Sequence, residues 1–155
     1  MNGATMLELE MASDPDRLPD VRTRVRRWIA LHGWSEQQAG EIVLALDEAL
    51  SNVIRHGYAD QRGDPILVRI EAVDDPEQGP GVEIRVRDFG RQVDPARIRG
   101  RDLSDVRPGG LGVHIIRAMT SSAEYRHADG GGMLLIMRKF KSHTADGSAG
   151  SREHE

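Results

Sequence analysis

The chain changes between two hydrophobic periods, and each change predicts a boundary between elements. Residues 4–11 (ATMLELEM) alternate apolar and polar side chains, which predicts a strand. Residues 14–33 open with Asp-Pro, a favourable helix start, and end at a glycine. Their apolar positions recur at helical spacing: Leu18, Val21, Val25, Trp28 and Ile29. Residues 35–57 predict a second helix, because Ser35 and Gln38 form a capping box before a long apolar arc.

The second half of the chain alternates at strand period, apart from one helical segment. Turn-rich sequences, DDPEQGPG and DGGG, separate the strands into two hairpins. The predicted elements are strands over 66–73 and 82–88, a helix over 111–119, and strands over 123–127 and 133–140. Between strand and helix, residues 91–108 are polar, arginine-rich and without sustained period. A loop of that length inside a compact domain is usually functional or disordered.

The order of elements predicts the fold class. Strands come in neighbouring pairs and the helices have apolar faces to lay on a sheet. This pattern indicates an α+β protein, a two-layer α/β sandwich with a mixed, mostly antiparallel sheet and helices on one face. We expect one domain over residues 1–141, followed by a polar tail over 142–155 that is too poor in apolar residues to order.

Composition removes several classes of protein. The 155 residues contain no cysteine, which excludes disulfides and thiolate metal sites, and the six histidines have no zinc-hydrolase spacing. A formal net charge of −4 gives no general basic footprint for direct nucleic-acid binding. No apolar run approaches the roughly 18 residues that span a bilayer, so we expect no membrane insertion and a cytoplasmic location.

The second predicted helix carries an unusual polar row. At about 100° per residue, Glu48, Asn52 and His56 fall within roughly 80° of one another, along one border of the apolar arc. A solvated edge explains the glutamate and the histidine, but it explains the asparagine less well, because Asn is a middling helix former. The intervening polar residues are expected to face solvent: Asp47, Ser51 and Arg55.

Two further patches have chemistry that suits a nucleotide. In VRDFG, Asp88 can accept hydrogen bonds from an exocyclic amine, and Gly90 lets a planar ligand approach the backbone. The alternative is an ordinary strand-ending turn. In RPGGLGVHII, glycines lead into a helix and leave backbone N–H groups open to phosphates. The alternative there is a flexible hinge, and the sequence matches neither a Walker A motif nor a dinucleotide fingerprint.

Together and in this order, the three patches resemble the N, G1 and G2 boxes of the GHKL (Bergerat-fold, histidine-kinase-like) ATPases. The resemblance is strongest to the anti-sigma-factor serine/threonine kinases of bacteria. It covers roughly Leu7 to Lys141, including the HGY after the asparagine helix and the closing AEYRHADGGGMLLIMRKF. It implies a Bergerat ATP-binding fold in which residues 91–108 form an ATP lid.

The resemblance also implies roles for individual residues, with ATP and Mg²⁺ as cofactors. Asn52 corresponds to the Mg²⁺ ligand, and Glu48 to a glutamate that acts as general base or orients the acceptor hydroxyl. Asp88 corresponds to the acceptor for the adenine amino group, and Gly90 to the glycine beneath the base. The phosphate contacts would come from the second glycine segment, Gly109, Gly110, Leu111, Gly112 and Val113, and from three lid arginines chosen by charge and place, Arg97, Arg101 and Arg107.

Two positions depart from the family pattern. The G1 box commonly has a second glycine where Gln92 stands, which predicts a reshaped first turn of the lid. The helix after the G2 box often ends in Met-Asp, whereas this chain has Met119-Thr120. Neither change removes a residue with an implied chemical role.

The resemblance predicts an anti-sigma regulatory factor that phosphorylates Ser or Thr of a STAS-type anti-sigma-factor antagonist and sequesters a sigma factor. It further implies a homodimer, with partner contacts near the N-terminal strand and first helix, whose basic surface carries Arg22, Arg24, Arg26 and Arg27. Two alternatives remain: an ATP-binding module of the same fold that switches a partner without phosphotransfer, and an interaction domain that binds no nucleotide.

Overall fold

The computed structural model describes residues 5–92, 94–95 and 111–142, and every structural statement below concerns those residues. Three helices and five strands make up the domain. In chain order they are β1 (Met6–Ala12), α1 (Leu18–Leu31), α2 (Glu36–Asn52), β2 (Pro65–Asp75), β3 (Gly79–Asp88), α3 (Leu111–Met119), β4 (Ser122–His127) and β5 (Met133–Phe140). Most of the proposed lid and the proposed tail lie outside the described residues.

The five strands form one sheet in the order β1-β2-β3-β5-β4. All four pairings are antiparallel, so no parallel pair joins the described strands. The registers place Val68 beside both Leu9 and Val86, and side chains such as these point to the helical layer. The predicted two-layer α+β architecture is confirmed, and its sheet is more uniformly antiparallel than the mixed sheet that we predicted.

Local sequence explains where the helices begin and end. Asp14 caps a short 3₁₀ turn over Pro15–Arg17, accepting from the Asp16 N–H at 3.0 Å, and α1 begins directly after it. Ser35 caps α2 by accepting from the Gln38 N–H at 3.1 Å, which confirms the predicted capping box start. Between the helices, Gly33 has φ +77°, a backbone conformation that favours glycine at a helix end.

The two faces of the sheet differ in character. One face packs against the helices in a single apolar core that includes the fully buried Ile29, Ile42 and Ile84. The other face carries paired charges; Glu83, for example, accepts from Arg85 Nε at 2.7 Å and from Arg138 Nε at 2.8 Å. A concavity of about 470 Å³ lies on this open face. The helices therefore cover one side of the sheet only, as the sequence predicts.

A buried lysine on β5 connects that strand to α2 and α3. The Lys139 side chain is 0% exposed, and its Nζ donates to the Met119 carbonyl at 2.6 Å and lies 2.8 Å from Glu41 Oε2. This contact joins β5 to the last residue of α3 and to the first half of α2. It fixes the C-terminal end of α3 against the core.

No helix in the described ranges is long and apolar enough to cross a bilayer.

Candidate functional site

The polar row on α2 meets the beginning of α3. A Cβ added at Gly112 would stand 2.8 Å from Glu48 Oε2 and 3.4 Å from both Nδ2 and Oδ1 of Asn52. Glu48 and Asn52 are half-buried, whereas His56 at the end of the row is exposed. Two patches that the sequence presents 60 positions apart are thus in contact, and a side chain at position 112 would displace the Glu48 carboxylate.

The opposite side of α2 does not face solvent as predicted for Asp47. Its side chain is 25% exposed and lies 3.5 Å from Arg22 Nε of α1, because α1 packs over that side of α2. Ser51 is half-buried, and Arg55 is exposed as expected. Arg55 also reaches back along the helix, with its Nη2 donating to Asn52 Oδ1 at 3.5 Å. The prediction for Asp47 was wrong because the periodicity of α2 does not reveal which other helix packs against it.

Beyond Asn52 the helix continues as a π-helical turn, Val53–Gly57. Such wide turns are uncommon and occur often at functional sites. The turn carries Gly57 to the end of β3, where an added Cβ would stand 3.6 Å from Asp88 Oδ2. The Gly57 carbonyl accepts from the Arg91 N–H at 3.1 Å, and a Cβ on Gly90 would collide with that same carbonyl. The absence of a side chain at Gly90 therefore lets two backbone segments touch.

The Asp88 carboxylate is held in one orientation by backbone donors. Its Oδ1 accepts from the Gly90 N–H at 3.0 Å and from the Met133 N–H at 3.2 Å. Among the described residues both of these bonds end on Oδ1, which leaves Oδ2 available to accept from a ligand. The residue is 3% exposed, and burial raises the pKa of its carboxyl although the two N–H bonds oppose the rise. This geometry suits an acceptor for an exocyclic amine.

The turn between β4 and β5 belongs to the same site, which the sequence did not predict. Gly132 has φ +75°, and an added Cβ would meet the Asp88 carbonyl carbon at 2.6 Å and Phe89 Cα at 2.7 Å. Arg87 fixes the turn by donating to the Gly131 carbonyl at 3.1 Å and to the Asp129 carbonyl at 2.9 Å. A third consecutive glycine was the available signal, since a simple hairpin turn does not require one.

Gln92 takes part in holding that turn. Its Nε2 donates to the Gly132 carbonyl at 3.2 Å and to the Ala128 carbonyl at 3.3 Å. The Gly132 carbonyl and the Met133 N–H belong to one peptide group, so Gln92 holds the oxygen end of the peptide whose N–H orients Asp88. The departure from the family's second glycine thus adds a contact to the site.

The remaining predicted residues divide into two groups. Leu111 and Val113 flank Gly112 in the first turn of α3, and the Val113 side chain is 7% exposed. The other five lie outside the described residues: Arg97, Arg101, Arg107, Gly109 and Gly110. Their proposed contacts with phosphate stay predictions.

One side-chain oxygen, Asn52 Oδ1, could bind a magnesium ion at this point of the site. In residues 5–92, 94–95 and 111–142 no group of three or more His, Asp or Glu could hold a metal alone. Asn52 offers one neutral amide oxygen, and Mg²⁺ in phosphate-binding sites commonly takes one or two protein ligands plus substrate oxygens and water. The missing Cβ at Gly112 leaves room beside that oxygen.

Comparisons with known proteins identify the family of this chain. A profile of the histidine kinase-like ATPase domain matches residues 11–139. The chain is 27% identical over 107 residues to the serine/threonine-protein kinase BtrW of Bordetella bronchiseptica, a match covering 66% of this chain and 72% of that protein. It is 21% identical over 148 residues to the serine-protein kinase RsbW of Bacillus subtilis, covering 90% of this chain and 88% of that one.

A solved structure shares the fold. The crystal structure of the RsbU and RsbW domains of a Mycobacterium tuberculosis protein superposes with a TM-score of 0.59 at 19% identity, covering 88% of this chain. The match covers 32% of that longer chain. The sequence motifs, the profile over residues 11–139 and the shared fold lead to one conclusion: this chain belongs to the histidine kinase-like ATPase domain family.

Proposed function

We propose that the protein binds Mg-ATP and transfers its γ-phosphoryl group to a Ser or Thr of a STAS-type anti-sigma-factor antagonist. The observation that carries this proposal is the contact of Gly112 with both Glu48 and Asn52. It brings a carboxylate, a carboxamide and the glycine-rich start of a helix within one side chain's length of each other. The names of the relatives, serine-protein kinases, support the same reaction.

Adenine would bind at the end of β3. Asp88 Oδ2 would accept from the adenine amino group, and Gly57, which has no side chain, lies beside that oxygen. Gly57 lies five residues after Asn52, roughly 7 Å along the helix axis. One continuous helical segment would therefore contact the nucleotide at both its base and its phosphates.

The transfer step would use Glu48 as the general base. Its carboxylate takes the proton of the acceptor hydroxyl while the hydroxyl oxygen forms a bond to the γ-phosphorus and the bond to the ADP oxygen breaks. The proton leaves Glu48 for solvent afterwards. Mg²⁺ bound through Asn52 would neutralise charge on the phosphate oxygens. The phosphorylated product, ADP and the released proton together balance the atoms and charge of the hydroxyl and ATP.

The acceptor hydroxyl has a path to Glu48 from outside. Glu48 lines a groove of about 350 Å³ together with Leu18, Ser51 and Arg55. The groove combines an apolar wall with an exposed arginine, so an extended loop carrying Ser or Thr could lie in it. This geometry supports a protein acceptor rather than water alone.

Sequestration of a sigma factor would use the basic side of α1. The arginines that the sequence identified there are exposed, and a concavity of about 460 Å³ between α1 and α2 is lined by Arg22, Arg26 and Arg27. An acidic partner surface fits this charge. A homodimer remains part of the proposal, as the family resemblance implies.

Binding and transfer should be measured in that order. Isothermal titration with Mg-ATP is expected to show binding that Asn52→Ala weakens severely. A pull-down with and without ATP is expected to capture a STAS antagonist. Incubation of that antagonist with the protein and labelled ATP is expected to yield phosphoserine or phosphothreonine. Glu48→Ala should slow transfer by about 10²–10⁴-fold while binding persists. Glu36→Ala, at an exposed glutamate in the first turn of α2, is the matched control.

The alternatives give different results. Binding of ATP with no phosphorylated product, and with Glu48→Ala indistinguishable from wild type, would favour a module that switches its partner without phosphotransfer. Absence of any ATP-dependent thermal shift would instead indicate an interaction domain that binds no nucleotide, and it would overturn the proposal entirely.

A further inference from the structure

Tyr58 connects three elements through its hydroxyl group. The residue follows the π-helical turn directly, and its Oη accepts from the Phe89 N–H at 2.7 Å. The same hydroxyl donates to the Pro65 carbonyl at 2.6 Å. Pro65 is the first residue of β2, and Phe89 follows the last residue of β3. One phenol therefore ties the end of the long helix to two adjacent strand ends.

The group that Tyr58 holds is the peptide between Asp88 and Phe89. On its other side, the carbonyl of this peptide packs against Gly132, which has no room for a Cβ. The peptide is thus fixed from two directions, by a hydrogen bond on its nitrogen and by close contact on its oxygen. Fixing this peptide also fixes the short segment that leads to Gly90, whose N–H donates to Asp88 Oδ1 at 3.0 Å.

The ring of Tyr58 adds a packing contact to these bonds. A Cβ on Gly90 would stand 3.1 Å from Tyr58 Cδ1, so the ring edge lies against the backbone of Gly90. Burial raises the pKa of the Tyr58 hydroxyl, which keeps the proton that it donates to Pro65. Both hydrogen-bond roles, acceptor and donor, are therefore available at neutral pH and above.

We propose that Tyr58 is a positioning residue that sets the selectivity of the site for adenine by fixing the peptide after Asp88. This inference rests on the proposed nucleotide-binding function. Asp88 Oδ2 discriminates between bases because adenine presents an amino donor where guanine presents a carbonyl acceptor. That discrimination depends on the direction of the carboxylate. The Gly90 N–H holds Asp88 Oδ1, and Tyr58 holds the Phe89 N–H in the segment that leads to Gly90. Tyr58 itself need not touch the base.

Tyr58→Phe tests the inference, since it keeps the ring and removes both hydrogen bonds. Titration with Mg-ATP and with Mg-GTP is expected to show ATP affinity about tenfold weaker and GTP affinity changed by less than about threefold. The dissociation constant for GTP divided by that for ATP therefore falls, which means that the preference for ATP decreases. Tyr125→Phe is the matched control: it makes the same change on β4, where Tyr125 packs against the core, and should leave the ratio unchanged.

Two results would overturn the inference. One is an unchanged ATP-to-GTP ratio in Tyr58→Phe while wild type binds ATP selectively. The other is a parallel loss of both affinities that follows a drop in melting temperature, which is what a merely structural role predicts. Wild type that binds neither nucleotide would overturn the proposed function and this inference together, so the two failures are distinguishable.

Hydrogen exchange tests the hydrogen bond between the Phe89 N–H and the Tyr58 hydroxyl. The measurement needs no nucleotide and can be made on the wild-type protein. In wild type, the Phe89 amide is expected to exchange at least about tenfold more slowly than an unbonded surface amide, because its N–H is donated to Tyr58. If Tyr58→Phe is well folded, that protection should disappear at Phe89. A Phe89 amide in wild type that exchanges at the rate of an open loop would contradict the proposed contact.

Discussion

The two halves of the candidate site are built in different ways. The half around Asp88 consists mainly of backbone groups: the carboxylate accepts two N–H bonds, and Gly90 and Gly132 allow chain segments to touch. The half around Glu48 consists of two half-buried side chains of α2, Glu48 and Asn52, which face Gly112 of α3. In the first half, the described residues themselves form the contacts that orient Asp88. In the second half, the Glu48 and Asn52 side chains would act only on a bound nucleotide and its metal ion.

This difference indicates how each half contributes. A rigid pocket made of backbone groups gives selectivity, because a wrong base leaves buried polar groups without partners. Side chains that approach phosphates and a metal contribute mainly to catalysis, because they act on charge that changes during transfer. Substitutions in the first half should therefore change stability and base preference, and those in the second should change the rate.

The largest expected effect lies in the turn between β4 and β5. Gly132→Ala should destabilise the protein by about 2–4 kcal/mol, because the new Cβ meets the Asp88 backbone and an L-residue is strained at positive φ. Gly130→Ala is the control, since φ is +85° there but nothing lies within 4 Å of an added Cβ. It should cost only about 1–2 kcal/mol. Urea unfolding of both variants measures the difference, and equal losses would contradict the proposed close packing.

Asp88→Asn should separate stability from binding. The new amide would donate toward the adenine amino group, so ATP affinity should fall by about 10- to 100-fold in titration. Stability at pH 7 should rise, because burial raises the Asp88 pKa and thus penalises its charged form.

The sign of the pH effect follows from proton binding. With a raised pKa in the folded state, folded Asp88 holds its proton more tightly than the unfolded chain does. Wild-type stability therefore falls as pH rises from the ordinary carboxyl pKa through the raised one. Asp88→Asn should lack this fall, so its advantage shrinks at acidic pH. Calorimetry across that range is the measurement, and a constant difference in stability would count against the buried charge.

In the other half of the site, Gly112→Ala should slow phosphoryl transfer by roughly tenfold, because a Cβ that displaces the Glu48 carboxylate disturbs its alignment with the acceptor hydroxyl. Unfolding stability should change little, since Glu48 can rotate away. Gly40→Ala is the matched control on α2: nothing lies within 4 Å of an added Cβ there, and alanine is the better helix former. A rate unchanged by Gly112→Ala would remove Glu48 from the reaction.

The smallest effect is expected for Gln92→Met. This substitution keeps the length of the side chain but removes the donor to the Gly132 and Ala128 carbonyls, so ATP affinity should weaken by about two- to fivefold. Gln78→Met makes the same change in the exposed turn between β2 and β3 and should have no effect. Titration of both variants decides whether the residue at the family's second glycine position supports the base pocket.

Sequence patterns predicted most of the fold because the signals are local. Strand alternation, the Ser35 cap and the glycine after α1 each act over a few residues, and the structure places those boundaries within a few positions of the predictions. The contact of Glu48 and Asn52 with Gly112 was implied by family motifs, because helical spacing alone does not show which elements meet.

The rest of the site depends on contacts between distant parts of the chain. The Met133 amide that orients Asp88 is 45 residues away in sequence, and a backbone donor has no residue type to mark it. Tyr58 and Gln92 act through their side chains, but their partners are backbone groups of Phe89, Pro65 and Gly132. Such pairings follow from strand register, and a single sequence does not specify register between non-neighbouring segments.

The buried Lys139 has a mechanical consequence for α3. Its ammonium group holds the last carbonyl of the helix, about 10 Å from Gly112 near the other end. A lengthwise shift of the helix would break this bond, so the bond opposes such a shift. Because the same ammonium also contacts Glu41, it ties this end of α3 to the helix that carries Glu48 and Asn52.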